Sequence, residues 1–301
     1  MFPGQGAQFV GMARNLLEED EETRRFLAIA EERLGIPVGR LMVEGPDAEL
    51  QATQNAQPAI VFHSLALLRR LRTAGTQPAA VAGHSLGEFP ALVAAGGLDA
   101  LDALAAVRAR GEAMAGAAPS GSGMVAVLGL ADQALEAACA GVPGAVPANY
   151  NAPGQVVVSG SDQALEAVTP ALQQAGARRV IRLPVSAAFH SPLMAPAAQA
   201  FRSTWNKIPL QPLQLPQVFN ADAEVHRDAA EIRELMVGQL TGPVRWTQSV
   251  RKLASLGVDT FVEIGPGRTL TGLVKKILPD AVLHNIDDMT SLDAFLQAAH
   301  A

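Results

Sequence analysis

The sequence predicts a two-part α/β fold, and three patterns predict it. At both ends of the chain, short apolar runs alternate with longer amphipathic segments, as in a parallel sheet covered by helices. The middle third, residues 119–187, instead reads β-α-β-β-α-β, the ferredoxin-like order. Behind it the α/β alternation resumes, so residues 1–118 and 188–301 are expected to form one large unit that carries 119–187 as an insertion.

Each element has a local reason. Gln57 to Ala74 reads as a helix because Val61, Leu65, Leu68 and Leu71 recur near helical spacing and Gly75 offers a stop. Pro78 to Gly83 is a short buried strand, followed by a helix from Leu86 to Ala95 that ends at Gly96-Gly97. Asp99 is placed to cap the next helix, which runs to Met114. Past the turn-forming Pro119-Ser120-Gly121-Ser122-Gly123 come a strand, Met124 to Leu130, a helix, Ala131 to Ala140, and two extended runs, Ala145 to Asn149 and Gln155 to Ser159. Asn151-Ala152-Pro153-Gly154 between those runs is a turn signal. A helix at Asp162–Gln174 and a strand at Arg179–Pro184 close the insertion. Helices at Pro192–Ile208, Ala229–Leu240 and Trp246–Leu256 precede a strand at Thr260–Ile264. Gly265-Pro266-Gly267 then leads into a helix, Thr269–Ile277, a strand, Ala281–Ile286, and a terminal helix.

Composition narrows the class. With 301 residues, 49% of them hydrophobic, the chain can bury a substantial core, which excludes a wholly disordered protein. One cysteine, Cys139, excludes a disulfide framework or thiolate metal cage and fits a reducing cytoplasm. Acidic residues outnumber basic ones by 29 to 23, which argues against a general nucleic-acid binder. The opening Met1-Phe2-Pro3-Gly4-Gln5-Gly6 has neither the basic nor the apolar region of a signal peptide. The longest apolar stretch, Pro78 to Leu98, is interrupted by His84, Ser85 and Glu88 and is too polar for a membrane span. A cytoplasmic protein without a nucleic-acid or membrane partner is expected.

The sharpest chemical signal is Gly83-His84-Ser85-Leu86-Gly87, a G-x-S-x-G element between a predicted strand and a predicted helix. A serine there sits on a tight elbow of a hydrolase-like α/β core, and the Leu86 amide can face a developing oxyanion. Serine needs a base, because its hydroxyl is a poor nucleophile at neutral pH. Six histidines are available. His63 falls inside a helix, His226 in a polar loop, His284 in a strand and His300 beside the C-terminus. His84 adjoins the serine, where strand alternation turns it away. His190 lies at a strand-to-helix junction, where side chains commonly reach a cleft, although position alone does not separate a catalytic histidine from a structural one. No histidine pair has metal-ligand spacing, so no metal is expected. Gly265-Pro266-Gly267 lacks the Gly-Lys-Ser/Thr ending of a phosphate loop and reads as a tight turn.

Six phrases then occur in order along nearly the whole chain. They are Phe2-Pro3-Gly4-Gln5-Gly6-Ala7-Gln8, Gly83-His84-Ser85-Leu86-Gly87-Glu88-Phe89, Arg110-Gly111-Glu112-Ala113-Met114, Asn149-x-Asn151-x-Pro153-Gly154-Gln155-Val156-Val157, Ala188-Phe189-His190-Ser191 and Glu263-Ile264-Gly265-Pro266-Gly267. Together they resemble the malonyl-CoA:acyl carrier protein transacylases. Met1 to Gly6, Ala82 to Phe89 and Val185 to Ser191 are most similar to the discrete acyltransferases that serve polyketide synthases in trans.

The resemblance implies a ping-pong transfer. Ser85 would attack the thioester of malonyl-CoA with His190 as base, and the phosphopantetheine thiol of an acyl carrier protein would then take the malonyl group from Ser85. It also implies that the backbone carbonyl at Gln239 steadies His190 in place of a third triad member, and that the amides of Gln5 and Leu86 form the oxyanion hole. Arg110 would bind the malonyl carboxylate through a bidentate, charge-assisted fork that lysine lacks. Read without the family, Arg108 and Arg110 are indistinguishable helix arginines. Phe189, otherwise a core phenylalanine, would crowd an α-methyl branch and favour malonyl over methylmalonyl. Gln57, Asn149 and Asn151 would line the pocket. No permanently bound cofactor is implied, coenzyme A entering only as the substrate thioester, and the chain is read as a monomer. An acidic carrier protein would need a local basic face, for which Arg69, Arg70 and Arg72, Arg178, Arg179 and Arg182, or Lys275 and Lys276 are candidates. In the family a first parallel strand precedes Phe-Pro-Gly-Gln; in this sequence only Met1 stands before Phe2. Two other readings compete: a hydrolase that edits stalled acyl groups on carrier proteins, and a non-catalytic docking subunit of the same fold.

Overall fold

The computed structural model describes residues 1–117, 119–185 and 187–299. Ala118 at the expected border of the insertion, Ser186 in the phrase before His190, and His300 lie outside the described residues.

Four helices come first that the sequence patterns did not announce: α1 (Arg14–Glu19), the longer α2 (Glu21–Leu34), α3 (Val38–Val43) and α4 (Asp47–Gln51). The central helix α5 (Thr53–Thr73) starts earlier than expected, with Pro58 inside it. Proline has no N–H to donate to the carbonyl of Gln54, and Arg108 Nη1 fills that acceptor at 2.9 Å. The expected strand at Pro78–Gly83 shrinks to β1 (Val81–Ala82). The expected helix Leu86–Ala95 divides into a 3₁₀ turn at Ser85–Gly87 and α6 (Glu88–Ala94). α7 (Ala100–Gly116) is capped by Asp99, whose Oδ1 accepts from the Leu101 amide at 2.8 Å.

The middle of the chain runs β2 (Ser122–Leu128), α8 (Asp132–Ala140), β3 (Val146–Ala152), β4 (Gln155–Ser161), α9 (Asp162–Gln174) and β5 (Arg179–Arg182). Its strands form one antiparallel sheet in the order β3-β4-β2-β5. Val125, Val127, Leu135, Val158, Val168 and Leu172 pack into an apolar cluster of their own. The turn expected over Asn151–Gly154 is shorter. β3 continues through Ala152, and only Pro153 and Gly154 reverse the chain, with Gly154 at φ 70°.

After a 3₁₀ turn at Pro192–Met194, α10 (Ala195–Trp205) ends before the expected Ile208. β6 (Gln217–Val218) and β7 (Val225–His226) were not expected; His226 therefore pairs in a strand rather than lying in a loop. α11 (Ala229–Gly238), α12 (Trp246–Ser255), β8 (Thr260–Ile264), α13 (Thr269–Ile277), β9 (Val282–Ile286) and α14 (Met289–Ala299) complete the chain.

The strands that frame the site are parallel: β1 with β6, and β8 with β9. Met1 and Phe2 join the two pairs. The Ile264 amide donates to the Met1 carbonyl at 2.9 Å, the Phe2 amide donates to Ala82 at 3.1 Å, and Phe2 accepts from His84 at 3.0 Å. The N-terminal residues thus lie between β8 and β1. The main core gathers around α5 and α7, with Phe62, Leu65, Leu104 and Val107 fully buried. Among the described residues no helix is long and apolar enough to cross a membrane.

Candidate active site

Ser85 sits where β1 breaks into the 3₁₀ turn, at φ 50°. That left-handed conformation is strained for a residue with a Cβ and must be held by its surroundings. Two glycines make the approach possible. A Cβ on Gly83 would lie 1.9 Å from the Gly87 backbone, and one on Gly87 would lie 2.1 Å from the Phe2 carbonyl oxygen. Asn220 pins the elbow from behind: its Oδ1 accepts from the Ser85 amide at 2.6 Å, and its Nδ2 donates to the Gly83 carbonyl at 2.8 Å.

His190 Nε2 lies 2.8 Å from Ser85 Oγ, and His190 Nδ1 lies 2.9 Å from the Gln239 carbonyl oxygen. A carbonyl only accepts, so Nδ1 carries the proton and Nε2 is left to accept from the serine hydroxyl. His190 is itself at φ 56°. Its neighbours are tied down, Ser159 Oγ donating to the Phe189 carbonyl at 2.5 Å and Ser191 Oγ to the Ala188 carbonyl at 2.6 Å. Burial first, then the Arg110 charge, lower the His190 pKa to about 3, so the ring is neutral at pH 7. The other described histidines are engaged elsewhere. His84 Nε2 lies 2.8 Å from Asn151 Oδ1, His63 Nε2 lies 2.8 Å from the Asp287 carbonyl, His226 lies between Asp222 and Glu231, and His284 packs on Phe295.

Arg110 reaches the serine from α7 and is 1% exposed. Its Nη2 donates to Ser85 Oγ at 3.1 Å and to Gln239 Oε1 at 2.9 Å, and its Nη1 donates to Gln57 Oε1 at 3.0 Å. Its Nε has no partner among the described residues. Burial lowers its pKa to about 10, which leaves it charged. Arg108, by contrast, faces Gln54 and Asn55 and pairs with Glu112 at 2.8 Å. The two arginines that the sequence alone could not separate are separated by the face of α7 they occupy.

The remaining expected residues divide. Gln57 is in the site, holding Arg110. Gln5 donates from Nε2 to Thr53 Oγ1 at 3.2 Å, while its backbone N–H donates to no acceptor among the described residues. Leu86 follows Ser85 in the 3₁₀ turn, its side chain fully buried. Phe189 is buried in the main core beside His190. Asn149 is buried in a backbone bridge to Val244, and the Asn151 amide is taken up by His84.

Two further residues were missed: Asn220 and Glu88. Glu88 is 1% exposed; its Oε1 accepts from the Asn220 amide at 2.5 Å and its Oε2 from Gln239 Nε2. Burial raises its pKa to about 8 against those hydrogen bonds and the pull of Arg110. Glu88 directly follows the G-x-S-x-G element, but Asn220 lies in Phe219-Asn220-Ala221, which carries no pattern. An apolar cavity of about 250 Å³, lined by Phe2, Leu68, Val81 and Phe261 among others, holds none of these polar groups. Among the described residues no group of three or more His, Cys, Asp or Glu side chains could hold a metal ion.

A hydroxyl held against a neutral imidazole, beside a buried cation, is equipped to take an acyl group from an activated carbonyl and pass it on. That is the chemistry of a serine-dependent acyl transferase. The model of the acyl transferase domain matches residues 1–293, and the chain belongs to that family. It is 42% identical over 282 residues to the malonyl CoA-acyl carrier protein transacylase of Bacillus subtilis, covering 92% of this chain and 89% of that one. The protein of the same name from Escherichia coli K12 is 39% identical over 302 residues, 99% of this chain and 98% of that one. Among solved structures, an acyl carrier protein S-malonyltransferase from Vibrio cholerae superposes with a TM-score of 0.94 at 39% identity, covering 98% of each chain. A malonyl-transacylase in complex with a holo type II polyketide synthase acyl-carrier protein superposes with a TM-score of 0.95 at 38% identity, covering 99% of this chain and 98% of that one.

Proposed function

We propose that the protein transfers a malonyl group from malonyl-CoA to the phosphopantetheine thiol of an acyl carrier protein through a malonyl-serine at Ser85. The observation that carries this reading is Arg110. A guanidinium buried to 1% exposure, with amide partners but no ion pair among the described residues, is costly until a carboxylate meets it. Malonyl brings a carboxylate, and Arg110 Nη2 lies 3.1 Å from the attacking oxygen.

The steps balance without a cofactor. Ser85 Oγ bonds to the thioester carbonyl as His190 Nε2 takes its proton, and the amides of Gln5 and Leu86 receive the oxyanion. The carbon–sulfur bond breaks, and His190 returns the proton to the departing coenzyme A thiol. In the second half-reaction His190 takes the proton of the phosphopantetheine thiol, a new thioester forms and Ser85 is released with its proton restored. The Gln239 carbonyl keeps His190 in the required tautomer throughout. We read residues 1–118 with 188–301 as the catalytic unit and 119–187 as its inserted cover, supported by the separate sheet and apolar cluster of the insertion. The same reading makes the protein a cytoplasmic monomer. The phrases at Met1–Gly6, Ala82–Phe89 and Val185–Ser191 support a place among enzymes that serve polyketide synthases in trans.

Intact-protein mass spectrometry after brief exposure to malonyl-CoA and acetyl-CoA in competition tests the reading. A malonyl adduct that Ser85→Ala abolishes, and that Arg110→Ala weakens about 10- to 100-fold more than any acetyl adduct, is expected, as for one or two charged hydrogen bonds lost. Free malonate released without transfer to a holo carrier protein would favour the editing hydrolase instead.

A further inference from the structure

Behind Ser85 lies a chain of four buried polar side chains: Arg110, Gln239, Glu88 and Asn220, none more than 1% exposed. The Gln239 amide stands at its centre. Its Oε1 accepts from Arg110 Nη2 at 2.9 Å, while its Nε2 donates to the Ser85 carbonyl at 3.0 Å and to Glu88 Oε2. Reversed, the amide would set its NH2 against the Arg110 guanidinium and its oxygen against two other oxygens. Glu88 and the Ser85 carbonyl therefore define which end of Gln239 faces Arg110.

This arrangement solves a conflict in charge. A carboxylate paired directly with Arg110 would balance the guanidinium but occupy the fork that the substrate needs. Glu88 does not pair with Arg110; Gln239 stands between them, and Glu88 directs its oxygens to Gln239 and to the Asn220 amide. We propose, on the reading that Arg110 binds the malonyl carboxylate, that Glu88 is a positioning residue for that recognition, holding Arg110 through the Gln239 amide without itself pairing with the guanidinium. Both Glu88 oxygens face N–H donors, so a glutamine in its place can satisfy only one of the two and must turn its own NH2 toward the other. The Gln239 amide then loses its fixed orientation, and Arg110 loses its aim.

The test is the ratio of malonyl to acetyl adduct on Ser85 when both thioesters compete. Both label the same hydroxyl, so the ratio is unaffected by any loss of folded enzyme. Glu88→Gln is expected to lower that ratio about tenfold, chiefly through KM for malonyl-CoA. In an Arg110→Ala background Glu88→Gln should lower the ratio no further, because the residue through which it acts is gone. A ratio unchanged by Glu88→Gln, or equally lowered with and without Arg110, overturns the proposal. Should Glu88→Gln fail to fold, Glu88→Asp serves: it keeps the carboxyl group but reaches fewer donors, and an intermediate ratio is expected where an unchanged one overturns. Absence of malonyl preference in the unmodified protein would instead defeat the proposed function itself.

Discussion

At the scale of the residue, the site is governed by what burial does to charge. His190 is held neutral by desolvation first and by the Arg110 charge second, so it can take a proton from Ser85 without first losing one. A protonated His190 cannot act as base, and the rate must fall as pH falls through its pKa. Acylation of Ser85 by acetyl-CoA, followed by mass spectrometry across pH, should show its acid limb well below the 6.5 of an unperturbed histidine. Arg110→Met should move that limb upward, since the guanidinium is gone; an acid limb near 6.5 in the unmodified enzyme would contradict the geometry. At Phe189, replacement by alanine should relax exclusion of methylmalonyl-CoA by about 5- to 100-fold, the worth of one methyl group in a pocket. Legibility in the sequence followed the same chemistry. Ser85 could be read because its flanking glycines answer a steric need that no other residue meets. Arg110 could be told from Arg108 only by resemblance, because both lie on one helix and only packing decides which face is buried. Nothing in the sequence marked Asn220, whose role comes from a fold contact with a segment far along the chain.

At the scale of the element, legibility varied: the 14-residue α2 was not read, while other segments were. α9, β8 and α13 have the bounds that their caps and apolar spacing suggest. α3 and α4, with 6 and 5 residues, are too short to display a period, and β6 and β7 have 2 residues each, so tertiary contacts rather than local pattern define them. The elbow between β1 and α6 shows how tightly such contacts bind a local turn. Because the Gly87 Cα stands against the Phe2 carbonyl, the N-terminal segment and the elbow share one backbone contact. Gly87→Ala must push them apart. A loss of about 1–3 kcal/mol in urea denaturation is expected from overpacking, together with a fall in Ser85 acylation of about 10- to 100-fold as the nucleophile and the Gln5 amide separate. An alanine variant with unchanged acylation would show that the elbow tolerates the displacement.

At the scale of the whole molecule, contacts between residues distant in sequence close the fold, and one closure carries a titratable group. His63 lies inside α5, where its Nε2 meets the Asp287 carbonyl just past β9, while its Nδ1 is buried with no partner among the described residues. Desolvation lowers its pKa to about 4, outweighing that hydrogen bond and the nearby Asp288 charge. Its unfolded pKa is near 6.5, so between those values the unfolded chain binds a proton that the folded chain does not. The stability His63 contributes is therefore complete above pH 6.5 and is lost as pH falls toward 4, with a slope of about 1.4 kcal/mol per pH unit. Glu88 works in the opposite sense: with its folded pKa raised to about 8, its contribution is complete below its unfolded pKa of 4.5 and declines as pH rises. Comparing variants cancels that opposing slope. Urea denaturation at a series of pH values from 4.5 to 6 should give His63→Gln a stability that rises with pH less steeply than the unmodified protein, by about 1.4 kcal/mol per pH unit. Parallel curves would mean that α5 and the end of β9 open enough to let His63 take up a proton without unfolding, and that the closure is looser than the 2.8 Å contact implies.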